Sequence, residues 1–240
     1  LSSARALLAL INDILDLSKL DADRIKLSPV EFDLTRCFKD CLRPLRAQAE
    51  AKGLQLIFDQ TGASGLVKGD DTRLRQILTN LVGNAIKFTE QGQVVVSLDC
   101  EETGDGQIEV RFSVTDTGIG IPRDMLEDIF ERFTQADAAI SRRFGGSGLG
   151  LSISRRLVSL MGGEITVRSQ EDRGSCFSVS LILEATGGGT ESPAPQSHRP
   201  SDLSSLAGLS ILVAEDNRVN RLLVEKFLKQ VPVTLHFAQN

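Results

Sequence analysis

The chain has 240 residues, a hydrophobic fraction of 41%, a charged fraction of 25% and a formal net charge of −5. This composition is that of a globular protein; its acidic balance argues against a nucleic-acid partner, and no apolar run reaches the roughly 18 residues that span a bilayer. The four cysteines form no CxxC pair and have no histidine nearby, so they suggest neither zinc nor disulfides, and we expect a reduced, cytoplasmic setting.

Residues 2–20 predict a single amphipathic helix, because Leu7, Ile11, Ile14 and Leu15 recur at helical spacing among polar residues. Its narrow apolar stripe needs a partner. Residue 1 is not Met and residue 240 falls inside a strand-like run, so we expect both ends to be cut from a longer protein.

A globular domain is expected to start near residue 28. A short strand with alternating Val30, Phe32 and Leu34 is followed by a helix to about Lys52, which stops at Gly53. Cys37 and Cys41 share one face of this helix and are interpreted as small buried hydrophobic residues.

The next elements alternate between helices and strands. A helix over 72–88 with Asp70 or Asp71 as N-cap precedes two strands, 94–98 and 108–114, which we expect to be antiparallel neighbours. A glycine-rich and charged stretch over 117–147 contains one short helix after Pro122. Then come a helix that ends at Met161 before two glycines, and strands over 164–169 and 176–183.

The composition changes after residue 186. Residues 187–205 are mostly Gly, Ser, Pro and Thr, and predict a flexible linker. An apolar strand over 209–214 then carries Glu215 and Asp216 at its C-terminal end, followed by a helix over 218–229 and a strand fragment over 234–237. This order predicts the first βαβ piece of a doubly wound domain.

The helix over 72–88 carries two separate stripes. One is apolar, and the other contains Asn80, Asn84 and Lys87. A solvated face usually carries Glu and Lys, whereas two asparagines four residues apart weaken a helix without an evident structural return. Their carbonyl oxygens suit Mg²⁺ that bridges phosphates, and Lys87 can neutralise phosphate charge.

Asp116 ends the alternating strand and precedes Thr-Gly-Ile-Gly-Ile-Pro. A carboxylate in this position can accept a hydrogen bond from an exocyclic amino group such as that of adenine, and Gly118 and Gly120 let a flat ring approach the backbone. Taken alone, an Asp that caps a turn is the commoner explanation, because Asp-x-Gly is ordinary turn chemistry. The segment between this turn and the glycines at 145–151, which is long enough to fold over a ligand, favours the binding role instead.

Residues 145–151 read Gly-Gly-Ser-Gly-Leu-Gly-Leu and open a helix. Glycine lets backbone N–H groups approach a ligand, and a helix N-terminus adds partial positive charge, so the segment predicts a phosphate cradle in which a Cβ on Gly148 or Gly150 would obstruct the ligand. The stretch before it is long enough to form a lid, with Phe130 and Phe133 as packing residues rather than nucleotide contacts.

Four segments resemble, in order and spacing, the N, G1, F and G2 boxes of sensor histidine kinases. They are Asn80-Leu-Val-Gly-Asn84-Ala-Ile-Lys87, Asp116-Thr-Gly-Ile-Gly-Ile, Phe130-Glu-Arg-Phe133 and Gly146-Ser-Gly-Leu-Gly-Leu, and Gly174-Ser175 is similar to the terminal glycine box. The resemblance covers about residues 1–184 and implies an α+β fold, the two-layer α/β sandwich of the Bergerat ATPases.

The resemblance also implies roles for individual residues. Asn80, Asn84 and Lys87 would be catalytic, with both asparagines holding Mg²⁺ on ATP. Asp116 would select adenine. The other cofactor-binding positions would be Gly118, Gly120, Arg143, Gly146, Ser147, Gly148, Leu149 and Gly150.

The flanking segments add to the same resemblance. Residues 1–27, with Ile-Asn-Asp-Ile-Leu-Asp-Leu-Ser-Lys-Leu, look like the second helix of the dimerisation and phosphotransfer hairpin, and neither His198 nor His236 matches the motif of the acceptor histidine. Residues 207–240 resemble the start of a receiver domain, in which Glu215 and Asp216 would form part of a Mg²⁺ pocket. The expected domains are therefore 1–27, 28–186, 187–206 and 207–240.

The sequence thus predicts a fragment of a hybrid sensor histidine kinase, inactive alone, that transfers the ATP γ-phosphoryl group to a histidine outside the chain. The resemblance implies a homodimer through the hairpin helices, and a cognate receiver domain and response regulator as partners. Two alternatives stay open. An ATP-hydrolysing relative would need a carboxylate at position 80, because asparagine cannot take a proton from water. A non-catalytic module that binds nucleotide and signals by movement of its lid is the other.

Overall fold

The computed structural model describes residues 26–62, 65–131, 148–186, 210–214 and 233–238. The chain divides into two compact units, residues 1–190 and 191–240. In the described ranges, no helix is both long and apolar enough to cross a membrane. The amphipathic helix predicted over 2–20, the linker over 187–205 and the helix predicted over 218–229 lie outside the described residues.

In its described residues, the first unit combines three helices with seven strands. Its strands are β1 (Val30–Asp33), β2 (Gln55–Thr61), β3 (Leu66–Gly69), β4 (Gln93–Gly104), β5 (Gln107–Asp116), β6 (Glu164–Gln170) and β7 (Gly174–Ala185). Its helices are α1 (Leu34–Ala51), α2 (Asp71–Phe88) and α3 (Gly150–Leu160).

All seven strands form one mixed sheet in the order β1-β3-β7-β5-β4-β2, with β6 also paired to β7. The predicted antiparallel pairing of β4 with β5 is confirmed, and β5 pairs with β7 in the same sense. The long strand β7 holds β6 along its first part and β3 near its end. The C-terminal ends of β5 and β6 therefore both lie beside the N-terminal start of β7.

The core lies on one face of this sheet. Strict alternation along β5 buries Val110, Phe112 and Val114 on that face, because successive side chains of a strand point to opposite sides. The predicted apolar stripe of α2 is buried against it: Leu74, Ile77, Leu78, Leu81 and Ala85. The two-layer α/β sandwich predicted from the sequence is confirmed, and Cys37 and Cys41 are buried as expected.

Two boundaries differ from the sequence prediction. Leu34 starts α1 instead of ending β1, because the Asp33 carboxylate accepts a hydrogen bond of 2.8 Å from the backbone N–H of Arg36 and thus caps the helix. The single short helix predicted after Pro122 is a pair of 3₁₀ turns, Arg123–Met125 and Asp128–Phe130. Two further strands, β2 and β3, were not predicted from the sequence. Asp70 is the N-cap of α2, with its carboxylate 3.0 Å from the backbone nitrogen of Arg73.

In the second unit, the described residues form two strands, β8 (Ser210–Ala214) and β9 (Thr234–Ala238), which pair in parallel. Both lie where the sequence predicts strands, and parallel pairing is what a βαβ opening requires. The assignment of this unit to a receiver domain stays a prediction.

Candidate nucleotide site

The polar stripe of α2 is half-buried rather than solvated. Asn80, Asn84 and Lys87 are all partly exposed. Nδ2 of Asn80 donates a hydrogen bond of 2.8 Å to Oγ of Ser154 on α3, and Nδ2 of Asn84 donates a longer one of 3.5 Å to Oδ1 of Asn80. The expectation that these asparagines bring no structural return is therefore wrong for Asn80, which joins α2 to α3.

The glycine segment meets α2 at the same place. Gly148 has φ +68°, a left-handed conformation that favours glycine, and Leu149 behind it is fully buried. A Cβ on Gly150 would collide with Oδ1 of Asn80. From the sequence, this glycine was expected to make room for a ligand; in the structure, the space that a Cβ would fill is taken by the amide of Asn80.

Asp116 is a buried carboxylate at the end of β5, with a relative exposure of 7%. Its Oδ1 accepts hydrogen bonds from the backbone nitrogens of Gly118, at 2.8 Å, and Ser175, at 3.3 Å. Burial raises the pKa of this carboxyl, and the two backbone donors partly oppose the shift. The turn-capping explanation is thus correct for Oδ1, and it fixes the carboxylate in one orientation.

The turn after Asp116 is packed against the C-terminal end of α2. The backbone N–H of Ile119 donates to the carbonyl oxygen of Phe88 at 3.3 Å, and a Cβ on Gly118 would approach that same oxygen to 2.5 Å. Gly120 has φ +68°, and a Cβ there would collide with the carbonyl oxygen of Gln170. Both glycines are required by contacts within the protein.

Two serines next to Asp116 were not identified from the sequence as a pair. Oγ of Ser169 accepts a hydrogen bond of 2.8 Å from the backbone nitrogen of Ile121 and lies 2.9 Å from Oγ of Ser175. A cavity of about 340 Å³ opens beside Asp116, between the ends of β5, β6 and β7. It is lined by Asp116, both serines, Arg168 and Arg173, among others. No sequence pattern indicated Ser169, because a Ser at a strand end is usually turn chemistry.

The C-terminal end of α2 is also capped by Lys52, which was not predicted from the sequence. Nζ of Lys52 donates to the carbonyl oxygens of Ile86, Lys87 and Thr89 at 2.6, 2.8 and 2.9 Å. A cation at this position satisfies carbonyls that have no partner within the helix and opposes the negative end of the helix dipole.

Burial lowers the pKa of Lys87, whose Nζ lies 4.4 Å from the centre of the Phe88 ring.

Phe130 packs, as predicted. It is 9% exposed, its ring lies 6.3 Å from that of Phe177, and the Arg155 guanidinium lies 5.4 Å from its centre. The remaining predicted site residues lie outside the described part of the chain: Phe133, Arg143, Gly146, Ser147, Glu215 and Asp216.

Comparisons with known proteins show which proteins the chain resembles. Residues 69–185 match the family described as histidine kinase-, DNA gyrase B-, and HSP90-like ATPase. The chain is 43% identical over 183 residues to the signal transduction histidine-protein kinase BarA of Escherichia coli K12, covering 76% of this chain and 20% of BarA. It is 38% identical over 245 residues to the hybrid signal transduction histidine kinase K of Dictyostelium discoideum, covering 98% of this chain and 20% of that protein.

Among solved structures, the chain is similar to full-length ShkA in complex with AMPPNP. The TM-score is 0.68 at 30% identity, and the match covers 99% of this chain and 46% of ShkA. The chain spans about a fifth of the length of the two curated relatives. Its fold is that of the Bergerat ATPases, and residues 69–185 are a histidine kinase-like ATPase domain of the kind found in the sensor histidine kinases that the chain resembles.

Proposed function

We propose that residues 28–186 bind ATP with Mg²⁺ and transfer its γ-phosphoryl group to a histidine on a hairpin helix outside this chain. The observation that carries the proposal is the placement of Asp116. Its buried carboxylate lies in a turn whose Ile119 N–H is hydrogen-bonded to Phe88 at the end of α2, the helix that carries Asn80 and Asn84. One folded unit thus presents an acceptor for a base and polar groups for Mg²⁺ and a phosphate chain.

Adenine selection is assigned to Asp116. Because Gly118 and Ser175 both donate to Oδ1, the second oxygen is the one that can accept the exocyclic amino group of the base. A charged acceptor in a buried position forms a stronger hydrogen bond than a neutral one, so it discriminates against a base that presents a carbonyl oxygen there.

The phosphate side is assigned to Asn80, Asn84, Lys87 and the glycine segment 146–150. The donor set fits Mg²⁺, because the amide oxygens are hard neutral ligands and Oδ1 of Asn80 faces both Asn84 and the glycine start of α3. When bound, Mg²⁺ would neutralise charge on the phosphates. The ammonium of Lys87 and the N-terminus of α3 add positive potential for the phosphates, and Arg143 is assigned to the same role from the lid.

Hydrolysis of ATP is the weaker alternative. A hydrolase needs a base that activates water, and position 80 carries an amide, which cannot accept a proton from water. The amide nitrogen of Asn80 is moreover engaged with Ser154. The other alternative is a regulatory module that binds nucleotide without transferring phosphate. It would have the same binding site as a kinase, so only a transfer experiment distinguishes the two.

Outside this domain, we propose that residues 1–27 are the second helix of the dimerising hairpin, that 187–206 are a linker and that 207–240 begin a receiver domain. Glu215 and Asp216 would be part of its Mg²⁺ pocket. In the intact protein the partners would be a second copy through the hairpin helices and a response regulator, and other segments would anchor it at the inner face of the plasma membrane.

The test uses γ-labelled ATP with Mg²⁺ and three samples: the chain alone, the chain with a separate hairpin that carries the family's acceptor histidine, and that mixture with Asn80→Ala. We expect an acid-labile label on the hairpin in the second sample, and no label on the chain alone. Fast release of inorganic phosphate by the chain alone, abolished by Asn80→Ala, would support a hydrolase. Tight binding of ATP with no label on any hairpin would support a regulatory module.

A further inference from the structure

Ser154 occupies an unusual position for a serine in an amphipathic helix. It lies on the buried side of α3, with a relative exposure of 2%, between Ile153 and Leu157, which are also buried. A buried hydroxyl costs free energy unless it is hydrogen-bonded, and the partner of this one is the side-chain amide of Asn80, at 2.8 Å. The hydroxyl therefore acts across the boundary between α2 and α3.

The contact holds the Asn80 amide against α3. Only the oxygen of an amide can bind a cation, whereas the nitrogen carries two hydrogens that repel one. Ser154 binds Nδ2, and Asn84 approaches Oδ1 from the other side with its own Nδ2, at 3.5 Å. With Nδ2 on Ser154 and Oδ1 toward Asn84, the Asn80 amide presents its oxygen to Asn84 and the start of α3.

We infer that Ser154 is a positioning residue for the Mg²⁺ ligand Asn80, an inference that rests on the proposed function. It holds Oδ1 toward the phosphate side, and it ties the metal ligand to the helix whose first turn would contact the phosphates. Removing the hydroxyl leaves a donor of Asn80 without its partner in a half-buried crevice, and the amide gains rotational freedom. Partners that orient a metal ligand typically change metal affinity by about 10–100-fold.

The experiment measures the ATP affinity of the full 240-residue chain by calorimetry, once with Mg²⁺ and once with EDTA. The variants are Ser154→Ala, Asn80→Ala, the double variant, and Ser159→Ala, which removes an exposed serine from the same helix. We expect Ser154→Ala to weaken binding about tenfold with Mg²⁺ and by less than about twofold in EDTA. Ser159→Ala should match the wild type in both conditions.

The double variant separates a positioning role from a structural one. If Ser154 acts through Asn80, adding Ser154→Ala to Asn80→Ala should cause no further loss of affinity with Mg²⁺. An equal loss for Ser154→Ala in Mg²⁺ and EDTA, or no loss in either, would overturn the inference. If Asn80→Ala leaves the effect of Mg²⁺ unchanged, the proposed metal site itself is wrong, and the inference fails with it.

Thermal unfolding of each variant shows whether it is folded. Should Ser154→Ala unfold, Ser154→Cys replaces it, because it keeps a side chain of similar shape in the crevice and offers a weaker hydrogen-bond acceptor. For this variant we expect a smaller, still Mg²⁺-dependent loss of affinity. A loss for Ser154→Cys that is the same in EDTA would contradict the inference.

Discussion

Ser175 donates its backbone N–H to Oδ1 of Asp116 at 3.3 Å, joining the start of β7 to the end of β5. Gly118 donates to the same oxygen at 2.8 Å. Among the residues that the structure describes, no donor to Oδ2 is found. The carboxylate is therefore oriented by the protein through one oxygen and leaves the other for a ligand, which is the property expected of a preorganised base-recognition group.

This arrangement makes Asp116→Asn a selective substitution. The asparagine oxygen can still accept from Gly118 and Ser175, so we expect the fold to be retained. The other oxygen is replaced by an NH₂ group, which cannot accept a hydrogen bond from an amino group of the base. Loss of a hydrogen bond to a charged group costs about 1.5–3 kcal/mol, so calorimetry should show ATP affinity weakened by about 10- to 150-fold.

Asp105→Asn is the matched control, because it makes the same charge change in the exposed β4–β5 turn, where the positive φ of 52° also suits asparagine. It should bind ATP like the wild type. Equal affinities for Asp116→Asn and Asp105→Asn would remove Asp116 from the base site.

The raised pKa of Asp116 predicts opposite effects of acid on stability and on binding. Burial disfavours the charged form in the folded protein, so the folded-state pKa lies above the unfolded-state value of about 3.9. The stabilisation from this group is then fully present below the unfolded pKa and is lost as the pH rises through the folded pKa. Lowering the pH should therefore raise the free energy of unfolding of the ligand-free wild type relative to Asp116→Asn.

ATP affinity should change in the other direction, because protonation removes the charged acceptor. As the pH falls through the folded pKa, the affinity advantage of the wild type over Asp116→Asn should shrink. Comparing the two proteins at each pH cancels titration of the phosphates. Denaturant unfolding and calorimetry over the same pH series measure both effects. A wild type that lost stability and affinity together, relative to the variant, would contradict the assignment.

The spacing of apolar residues predicted most of the core. In α2, β4 and β5 the pattern is long and regular, and it fixes which face of each element is buried. The short strands β2 and β3 were missed for a physical reason. Each is defined by its neighbour more than by its own residues: β2 lies parallel to β4 at the sheet edge, and β3 joins only the end of β7. Large apolar residues, Ile57 and Leu66, also occupy exposed positions in them, so apolar and polar residues do not alternate regularly along these strands.

In the candidate site, too, some residues could be predicted from the sequence and others could not. Asp116 and Asn80 were predicted because a chemical role narrows the residue types, but Ser154 and Lys52 act through contacts between segments 74 and 34–37 residues apart in sequence. No local pattern contains that information. The glycines were assigned to the approach of a ligand, and the structure adds that the nearest obstacle to a Cβ on Gly150 is Asn80 of the protein itself.

The cap on α2 predicts a role for Lys52 in stability. Lys52→Met keeps the aliphatic stem but removes the ammonium, leaving the carbonyl oxygens of Ile86, Lys87 and Thr89 without this donor. We expect the free energy of unfolding, measured with denaturant, to fall by about 1–3 kcal/mol. Lys39→Met, on the exposed side of α1, should change it by less than about 0.5 kcal/mol. Similar values for the two variants would show that the cap is not stabilising.

Gly150→Ala tests whether α3 is packed against Asn80, the proposed metal ligand. Replacing a helical glycine by alanine ordinarily stabilises a protein by up to about 1 kcal/mol, and Gly83→Ala should do so, because a Cβ there has nothing within 4 Å. At Gly150 the new Cβ would collide with Oδ1 of Asn80, so we expect a lower melting temperature and weaker binding of ATP with Mg²⁺.

The collision has a specific signature in the double variant. Asn80→Ala removes the atom that the new Cβ would meet, so in that background Gly150→Ala should become neutral or stabilising, with a coupling of about 0.5–3 kcal/mol between the two sites. If Gly150→Ala instead raised the melting temperature as Gly83→Ala does, but still weakened ATP binding, the contact with Asn80 would be wrong. Close approach of the phosphates would then be the reason for this glycine.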